Sequence, residues 1–230
     1  ETRMPHMTAN AIAGLDLYAV DDGGMRYLAT GRASPDGSHE SPLVQGLGPG
    51  VREFVLYLPL YERVDSLELG VPEAAVIAAP RFSYFNRPPI VVYGTSITQG
   101  ACASRPGLAY TAVLGRLLRR EVVNLGFSGN GRLDPGMAGV LAEIDAAAYV
   151  LDCLPNLDPG EVEERTVAFV RALRSERPGT PIVLVENIPY PGTFDRPALR
   201  ARLEAKNQAL ARALETLRRE AGGVHLLALG

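Results

Sequence analysis

The sequence of 230 residues is poor in the residue types on which several classes of protein depend. It has two cysteines, Cys102 and Cys153, and three histidines, which excludes a disulfide scaffold and a Cys/His zinc site. It has no tryptophan, and Lys206 is its single lysine beside 22 arginines. No apolar run approaches the ~20 residues that a membrane helix needs. We therefore expect neither a membrane partner nor a metal cofactor.

The charge balance excludes another class of partner. The 23 basic and 26 acidic side chains give a formal net charge of −3, whereas a nucleic-acid-binding protein shows a basic patch or stripe. We therefore expect no nucleic-acid partner. With 47% hydrophobic residues the chain can bury a core. The sequence leaves a homo-oligomer open, and two unpaired cysteines slightly favour the cytoplasm.

The first part of the chain, residues 1–86, carries short apolar runs separated by turn residues. Residues 14–20 alternate between apolar and polar, and Asp21-Asp22-Gly23-Gly24 predicts a hairpin turn into a strand over 25–30. Further strands are predicted over 54–58, 64–69 and 76–79. This spacing of short strands predicts an antiparallel β-sandwich of the jelly-roll kind.

From residue 87 the pattern changes to alternating strands and helices. Strands are predicted over 90–93, 122–124, 149–152, 181–185 and 224–228, and helices over 108–120, 136–144, 161–176 and 197–220. Five such alternations predict a parallel, doubly wound sheet with helices on both faces. We therefore predict two domains, a sandwich over 1–86 and an α/β domain over 87–230.

In a doubly wound sheet, ligands bind beyond the carboxyl ends of the strands. Three polar or glycine-rich segments follow the first three predicted strands. Gly94-Thr95-Ser96 follows the first, residues 126–131 follow the second, and Asn156 comes after the third. Because parallel strands end at one edge, these segments are the candidate site.

Each candidate residue has a chemical and a structural interpretation. Ser96 lies in a tight turn between strand and helix, where a nucleophilic serine is exposed, but serine also caps helices. Gly129 could direct its backbone N–H at a developing oxyanion, or simply belong to a loop. Asn156 could donate its side-chain N–H to the same oxyanion, or form an Asx turn. The glycine order GxxGxG over 126–131 differs from the dinucleotide-binding GxGxxG, which disfavours a nucleotide-binding Rossmann-like domain.

Together, the three segments resemble the blocks of the SGNH (GDSL-type) hydrolases. Gly94-Thr95-Ser96 is similar to the first block, with Thr95 where many members have aspartate. NLGFSGN over 124–130 is similar to the second block, and DCLPN over 152–156 to the third, with Leu154 in place of the usual glycine. The string YGTSITQGACASRP over 93–106 resembles one subfamily whose N-terminal sandwich carries a G-x-D-L-Y motif, matched by residues 14–18.

The resemblance implies a flavodoxin-like three-layer α/β/α SGNH domain after the sandwich, and a serine esterase mechanism. Ser96 would be the nucleophile, and its backbone N–H would form the oxyanion hole with Gly129 and Asn156. The implied substrate is a small-molecule acyl ester, such as an acetylated carbohydrate or another small hydroxylated molecule, and no cofactor is implied.

The same resemblance implies a general base from a D-x-x-H block after the last strand. The sequence printed ends at Gly230, just after that predicted strand, so we expect it to lack this block and to be incomplete at both ends. The three histidines are poor substitutes. His225 lies within an apolar strand pattern, His6 in the sandwich part, and His39 in a turn-rich loop as Asp36-Gly37-Ser38-His39.

Two alternatives to hydrolysis remain open at the level of sequence. An alcohol could intercept the same acyl-enzyme, which would make the protein an acyltransferase acting on a natural-product or sugar hydroxyl. A non-catalytic carbohydrate-binding protein would explain the absent D-x-x-H block, but not the retained serine, glycine and asparagine.

Overall fold

The computed structural model describes residues 4–32, 40–80, 86–220 and 222–229. The helices are α1 (Ala9–Ala13), α2 (Ser96–Gln99), α3 (Tyr110–Leu118), α4 (Pro135–Ala142), α5 (Pro159–Glu176) and α6 (Pro197–Glu220). The strands are β1 (Leu15–Asp21), β2 (Gly24–Gly31), β3 (Glu53–Tyr57), β4 (Ile90–Gly94), β5 (Val122–Gly126), β6 (Ala148–Asp152), β7 (Ile182–Val185) and β8 (Val224–Leu227).

The described residues form two compact units. The first unit holds the residues up to Asn86 together with Gly100–Arg120, and the second holds Arg87–Gln99 with Glu121–Gly230. The segment that contains α3 therefore belongs with the N-terminal part of the chain. The domain limits of 1–86 and 87–230 stay a prediction.

The first unit contains an antiparallel sheet in the order β2-β1-β3. The hairpin between β1 and β2 is as predicted, with Asp21 opposite Gly24. The strands predicted over 64–69 and 76–79 are wrong, because the structure has no strand at either place. The apolar side chains of these two segments stay exposed to solvent: Val76 is 91% exposed and Leu69 is 56% exposed. A strand pattern without a partner edge and a buried face does not form a stable strand.

The Asp16 carboxylate explains the G-x-D-L-Y motif within the first unit. It is fully buried, and its Oδ2 accepts hydrogen bonds from Arg105 Nη1 at 2.7 Å and from Gly107 N at 2.8 Å. Its Oδ1 accepts from Thr30 Oγ1 at 2.5 Å, and Tyr18 Oη lies 2.9 Å from the same Arg105 nitrogen. The motif thus binds the segment around residue 105 to strand β1.

The second unit contains the predicted parallel sheet, in the order β5-β4-β6-β7-β8. All four neighbouring pairs are parallel, which makes it a flavodoxin-like order with the first strand inside the sheet. This confirms the α/β prediction. The interior strand β4 is apolar and buried from Val91 to Tyr93, as expected of a parallel strand covered on both faces.

The core of the second unit lies between the sheet and helices α4, α5 and α6. Tyr93 of β4 stacks on Phe169 of α5 with ring centroids 5.5 Å apart, and both side chains are fully buried. Helix α5 begins at a capping box in which Asp158 and Glu161 satisfy each other's backbone N–H groups. These contacts fix α5 beneath the edge of the sheet that carries the candidate site.

Candidate active site

Strands β4, β5 and β6 end at the same level of the sheet. Gly94, the last residue of β4, pairs in register with Gly126 at the end of β5 and with Asp152 at the end of β6. Ser96, Gly129 and Asn156 follow these ends by two, three and four residues. The structure therefore places all three predicted site residues beyond one edge of the sheet, on neighbouring strands.

Ser96 is the first residue of α2, in the turn that leaves β4, and its side chain is partly exposed. The side chain that accepts the helix N–H is that of the preceding residue, because Thr95 Oγ1 accepts from Ile97 N at 3.3 Å. Thr95 is fully buried, in the position where many relatives of the first block have aspartate. The capping function that sequence alone could assign to Ser96 thus belongs to Thr95.

The loop after β5 packs directly on the turn that contains Ser96. Phe127 N donates to Gly94 O at 2.9 Å, and Ser128 N donates to Gln99 Oε1 at 2.9 Å. A Cβ at Gly131 would lie 1.9 Å from Gly94 O, so only glycine permits this approach. Gly131 is therefore required by the close contact of two backbones.

Gly129 is constrained by its conformation instead of by packing. Its φ is +73°, in the left-handed region, and a Cβ there would meet nothing within 4 Å among the described residues. The residue is exposed on the loop. Glycine adopts this φ without the cost that a side chain would incur.

Asn156 ends a 3-10 turn, Leu154–Asn156, that follows β6. Its Nδ2 donates to Gly131 O at 3.3 Å, and its backbone N donates to Cys153 O at 3.1 Å. The carboxamide has a second N–H, which makes no hydrogen bond to any residue in the described ranges. The side chain therefore bridges to the loop after β5 and retains a donor for a ligand.

Two cationic side chains to which the sequence assigned no role, Arg132 and Lys206, bind this turn. Arg132 Nη1 donates to the Asn156 carbonyl oxygen, and Lys206 Nζ donates to the carbonyls of Leu154 and Pro155 at 2.9 and 3.3 Å. No local pattern announces these contacts, because Lys206 lies 52 positions from Leu154 in the chain. Only the fold brings α6 against the turn.

Arg132 belongs to an ionic cluster at the start of α5. Its Nη2 lies 3.0 and 2.8 Å from the two Glu161 oxygens, and Arg165 Nη2 lies 3.0 Å from Glu161 Oε1. The backbone N–H of Asp158, followed by the two arginines, lowers the pKa of Glu161. The cluster ties the loop after β5 to the helix that follows the Asn156 turn.

Burial beneath the site disfavours the ionised forms of the Cys153 thiol and the Tyr93 hydroxyl. Burial, reinforced by the charge of Asp152, raises the pKa of the Cys153 thiol, which is fully enclosed. Burial also raises the pKa of Tyr93 to about 12. Cys153 is therefore no thiolate nucleophile.

The histidines do not supply a base at the Ser96 turn within the second unit. His225 is an exposed residue of the edge strand β8. It pairs with Val183 of β7, which pairs with Val150 of β6, which in turn pairs with Val92 of β4. Three strand spacings of ~4.8 Å separate it from β4 by ~14 Å. His6 is an exposed residue of the first unit, and His39 lies outside the described residues.

A cavity of about 260 Å³ opens after β7, between the loop that follows it and α6. Its lining includes the polar side chains of Asn187, Thr193, Glu204 and Asn207.

Among the residues that the structure describes, no group of three or more His, Cys, Asp or Glu side chains is placed to hold a metal ion. None of the described helices is long and apolar enough to cross a membrane.

Comparison with known proteins identifies the class. The family model of the GDSL-like lipase/acylhydrolase family matches residues 87–229, and the model of the GxDLY N-terminus of SGNH-hydrolase-type esterases matches residues 1–77. The chain therefore belongs to the GDSL-like lipase/acylhydrolase family, the SGNH hydrolases. No curated protein matches it significantly.

Solved structures agree with this assignment. A protein of Bacteroides ovatus described as a GDSL-like lipase is 38% identical, with a TM-score of 0.94 over 100% of this chain and 68% of that one. A salicylyl-acyltransferase from a tetracycline biosynthetic pathway is 22% identical, with a TM-score of 0.69 over 99% of this chain and 64% of its own. A family two carbohydrate esterase from Clostridium thermocellum, in complex with cellohexaose, is 15% identical, with a TM-score of 0.62 over 95% of this chain and 76% of its own. The chain thus spans about two thirds to three quarters of the length of these proteins.

Proposed function

We propose that the protein is a serine acylhydrolase that cleaves small acyl esters through an acyl-enzyme on Ser96. The observation that carries the proposal is the convergence of three segments, those of Ser96, Gly129 and Asn156, beyond strand ends that pair in register. A hydroxyl, a backbone N–H in a left-handed glycine and a carboxamide N–H are the groups that acyl transfer requires.

In the proposed reaction, Ser96 Oγ attacks the ester carbonyl carbon while a general base takes its proton. The carbonyl oxygen becomes an oxyanion, which accepts hydrogen bonds from the backbone N–H groups of Ser96 and Gly129 and from Asn156 Nδ2. Collapse of this intermediate expels the alcohol, which receives the proton from the base. Water then attacks the acyl-enzyme by the same steps and releases the acid.

The general base is part of the proposal. The family resemblance assigns it to the histidine of a D-x-x-H block that follows the last strand, oriented by the aspartate. Strand β8 ends at Leu227, and Leu229 N then donates to Glu186 Oε2 at 3.0 Å, just beyond the end of β7. A segment continuing from there would begin at the same edge of the sheet as Ser96.

The substrate class is part of the proposal and rests on the family resemblance. It implies a small acyl group, such as acetyl, on a carbohydrate or another hydroxylated molecule; the cavity beside α6 is lined by none of Ser96, Gly129 and Asn156. The chain is similar in fold to a carbohydrate esterase and to a salicylyl-acyltransferase. The second similarity supports a second candidate function, an acyltransferase in which an alcohol replaces water as the acceptor. The two reactions share the acyl-enzyme and differ in how well water is excluded and in how well an alcohol acceptor fits.

The test is hydrolysis of an aryl acetate by the full-length protein, followed by competition with candidate sugar and natural-product alcohols. Ser96→Ala is expected to lower kcat at least ~10³-fold, and Asn156→Ala ~10²- to 10³-fold. Ser175→Ala, which removes an exposed hydroxyl near the end of α5, is the matched control and should keep full activity. Unchanged hydrolysis in Ser96→Ala would refute the proposal, and an ester of the added alcohol as the main product would identify a transferase.

A further inference from the structure

The one lysine of the sequence, Lys206, is buried in α6 behind the Asn156 turn. Its side chain is only 3% exposed, and its Nζ donates to Leu154 O at 2.9 Å and to Pro155 O at 3.3 Å. These carbonyls belong to the first two residues of the turn that ends in Asn156. Since Arg132 binds the Asn156 carbonyl, each carbonyl of this three-residue turn accepts a hydrogen bond from a cation.

The charge of Lys206 is costly where it lies. Burial lowers the pKa of its ammonium, the neighbouring Arg202 adds to this, and Asp158 opposes it. No carboxylate in the described ranges forms an ion pair with Lys206, so its direct partners are the two backbone carbonyls, and Asp158 acts only at longer range. An apolar side chain of the same length would fill the space without this desolvation cost. A purely space-filling role therefore does not account for a lysine here.

The contact has a direct geometrical consequence for the oxyanion donor. The direction of the Asn156 side chain is set by the backbone of the turn, which is closed by Asn156 N donating to Cys153 O. Two carbonyls fixed from the helix side prevent the turn from rotating its peptide planes. Small displacements of an oxyanion donor are expensive, because catalysis needs the N–H aimed at the transition-state oxygen before the reaction begins.

We propose that Lys206 is a positioning residue for the oxyanion hole: through the Leu154 and Pro155 carbonyls it holds the turn that aims Asn156 Nδ2. This inference rests on the proposed function, because it needs Asn156 to be an oxyanion donor. Lys206 does not touch the substrate. It makes the long helix α6 part of the machinery that stabilises the transition state.

A matched control exists in the same unit. Arg174 of α5 is a half-buried cation that, like Lys206, binds backbone carbonyls, those of Arg177, Pro178, Thr180 and Gly223. These residues precede β7 and β8, at the edge of the sheet opposite to Ser96. Arg174→Met therefore removes a similar set of contacts, with the same effect on charge, far from the candidate site.

The experiment measures kcat and KM for aryl acetate hydrolysis by the full-length protein and by Lys206→Met, Arg174→Met, Asn156→Ala and Lys206→Met/Asn156→Ala. We expect Lys206→Met to lower kcat ~10- to 100-fold with KM changed less than ~2-fold, and Arg174→Met to leave kcat unchanged. In the Asn156→Ala background, Lys206→Met should change kcat less than ~2-fold, because the group that it positions is gone.

Three outcomes overturn the inference. If Lys206→Met has the same kcat as Arg174→Met, the contact of Lys206 with the turn is merely structural. If Lys206→Met lowers kcat by the same factor in the wild type and in Asn156→Ala, Lys206 acts on something other than Asn156. If Asn156→Ala retains full kcat, the oxyanion assignment itself fails, which distinguishes failure of the proposed function from failure of this inference alone. Should Lys206→Met not fold, Lys206→Gln replaces it: its amide can still donate to one carbonyl, and an intermediate loss of kcat is expected.

Discussion

At the scale of a single residue, Asp16 shows how one carboxylate organises the first unit. It is fully buried and accepts hydrogen bonds from Arg105, Gly107 and Thr30, which join β1, β2 and the segment 100–120. We expect Asp16→Asn to lower the free energy of unfolding by about 2–4 kcal/mol, because Arg105 and Gly107 N lose a charged acceptor. Urea denaturation of both proteins measures the difference.

The control for this prediction is an exposed carboxylate of the same strand. Asp21 pairs with Arg26 at 2.8 Å, but the side chains are 45% and 74% exposed. Asp21→Asn is expected to cost less than about 1 kcal/mol, as exposed ion pairs do. Equal losses in the two variants would show that the Asp16 network contributes no more than a surface pair.

The candidate residues of the site differ in how far sequence alone could predict them. Ser96, Gly129 and Asn156 follow strand ends, so a pattern of strands and glycines predicts where they lie. Lys206 and Arg132 contact the Asn156 turn across 52 and 24 positions, and neither stands in a motif. Their contacts depend on the packing of α6 and on the path of a loop, which local patterns do not encode.

At the scale of elements, the loop after β5 depends on the close approach of its backbone to β4. Gly131→Ala is expected to destabilise the protein by several kcal/mol, or to prevent folding, because the new Cβ would lie 1.9 Å from Gly94 O. Gly129→Ala should lower the free energy of unfolding by only about 1–2 kcal/mol. A Cβ at Gly129 meets nothing within 4 Å, but the φ of +73° disfavours any residue with a side chain. Thermal unfolding of the two variants gives the comparison.

Gly139, inside α4, is the matched control for the loop glycines. A Cβ there meets nothing within 4 Å, so alanine should stabilise the helix by about 0.5–1 kcal/mol. A Gly131→Ala protein as stable as Gly139→Ala would contradict the described packing of the loop on β4.

The ionised Glu161 at the start of α5 should make the stability of the protein depend on pH. The Asp158 N–H, Arg132 and Arg165 lower the pKa of Glu161 from its ordinary 4.5, so its ionised form is favoured in the folded protein. Its contribution is complete above pH 4.5 and is lost as the pH falls through the lower folded-state value. We expect the difference in unfolding free energy between wild type and Glu161→Gln to shrink below pH 4.5, in a series of urea titrations. A difference that stays constant with pH would contradict the role assigned to Glu161.

The elements also show where sequence patterns succeed and where they fail. The strands and helices of the second unit have long apolar periodicity and a shared core, and they form within a few residues of their predicted limits. The runs over 64–69 and 76–79 have the composition of strands, yet they are exposed and unpaired in the described structure. Strand formation depends on a partner that composition does not supply.

At the scale of the whole molecule, the proposed mechanism takes its general base from a D-x-x-H block and from none of His6, His39 and His225. His225 is the one histidine of the second unit, and it lies ~14 Å from β4 on an edge strand. We expect His225→Ala to retain kcat within about twofold in the aryl acetate assay. A loss greater than ~100-fold would make His225 the base and contradict the proposed mechanism.

The proposed mechanism makes catalysis depend on the hydroxyl of Ser96, and covalent labelling of that hydroxyl tests it. A fluorophosphonate probe reacts with an activated serine and is retained as a covalent ester, which peptide mass spectrometry can locate. The full-length protein should carry the label on Ser96, Ser175→Ala should be labelled equally, and Ser96→Ala should not be labelled. Equal labelling of Ser96→Ala would contradict the acyl-enzyme on Ser96, and absence of labelling in the wild type would contradict it and favour a non-catalytic carbohydrate-binding protein.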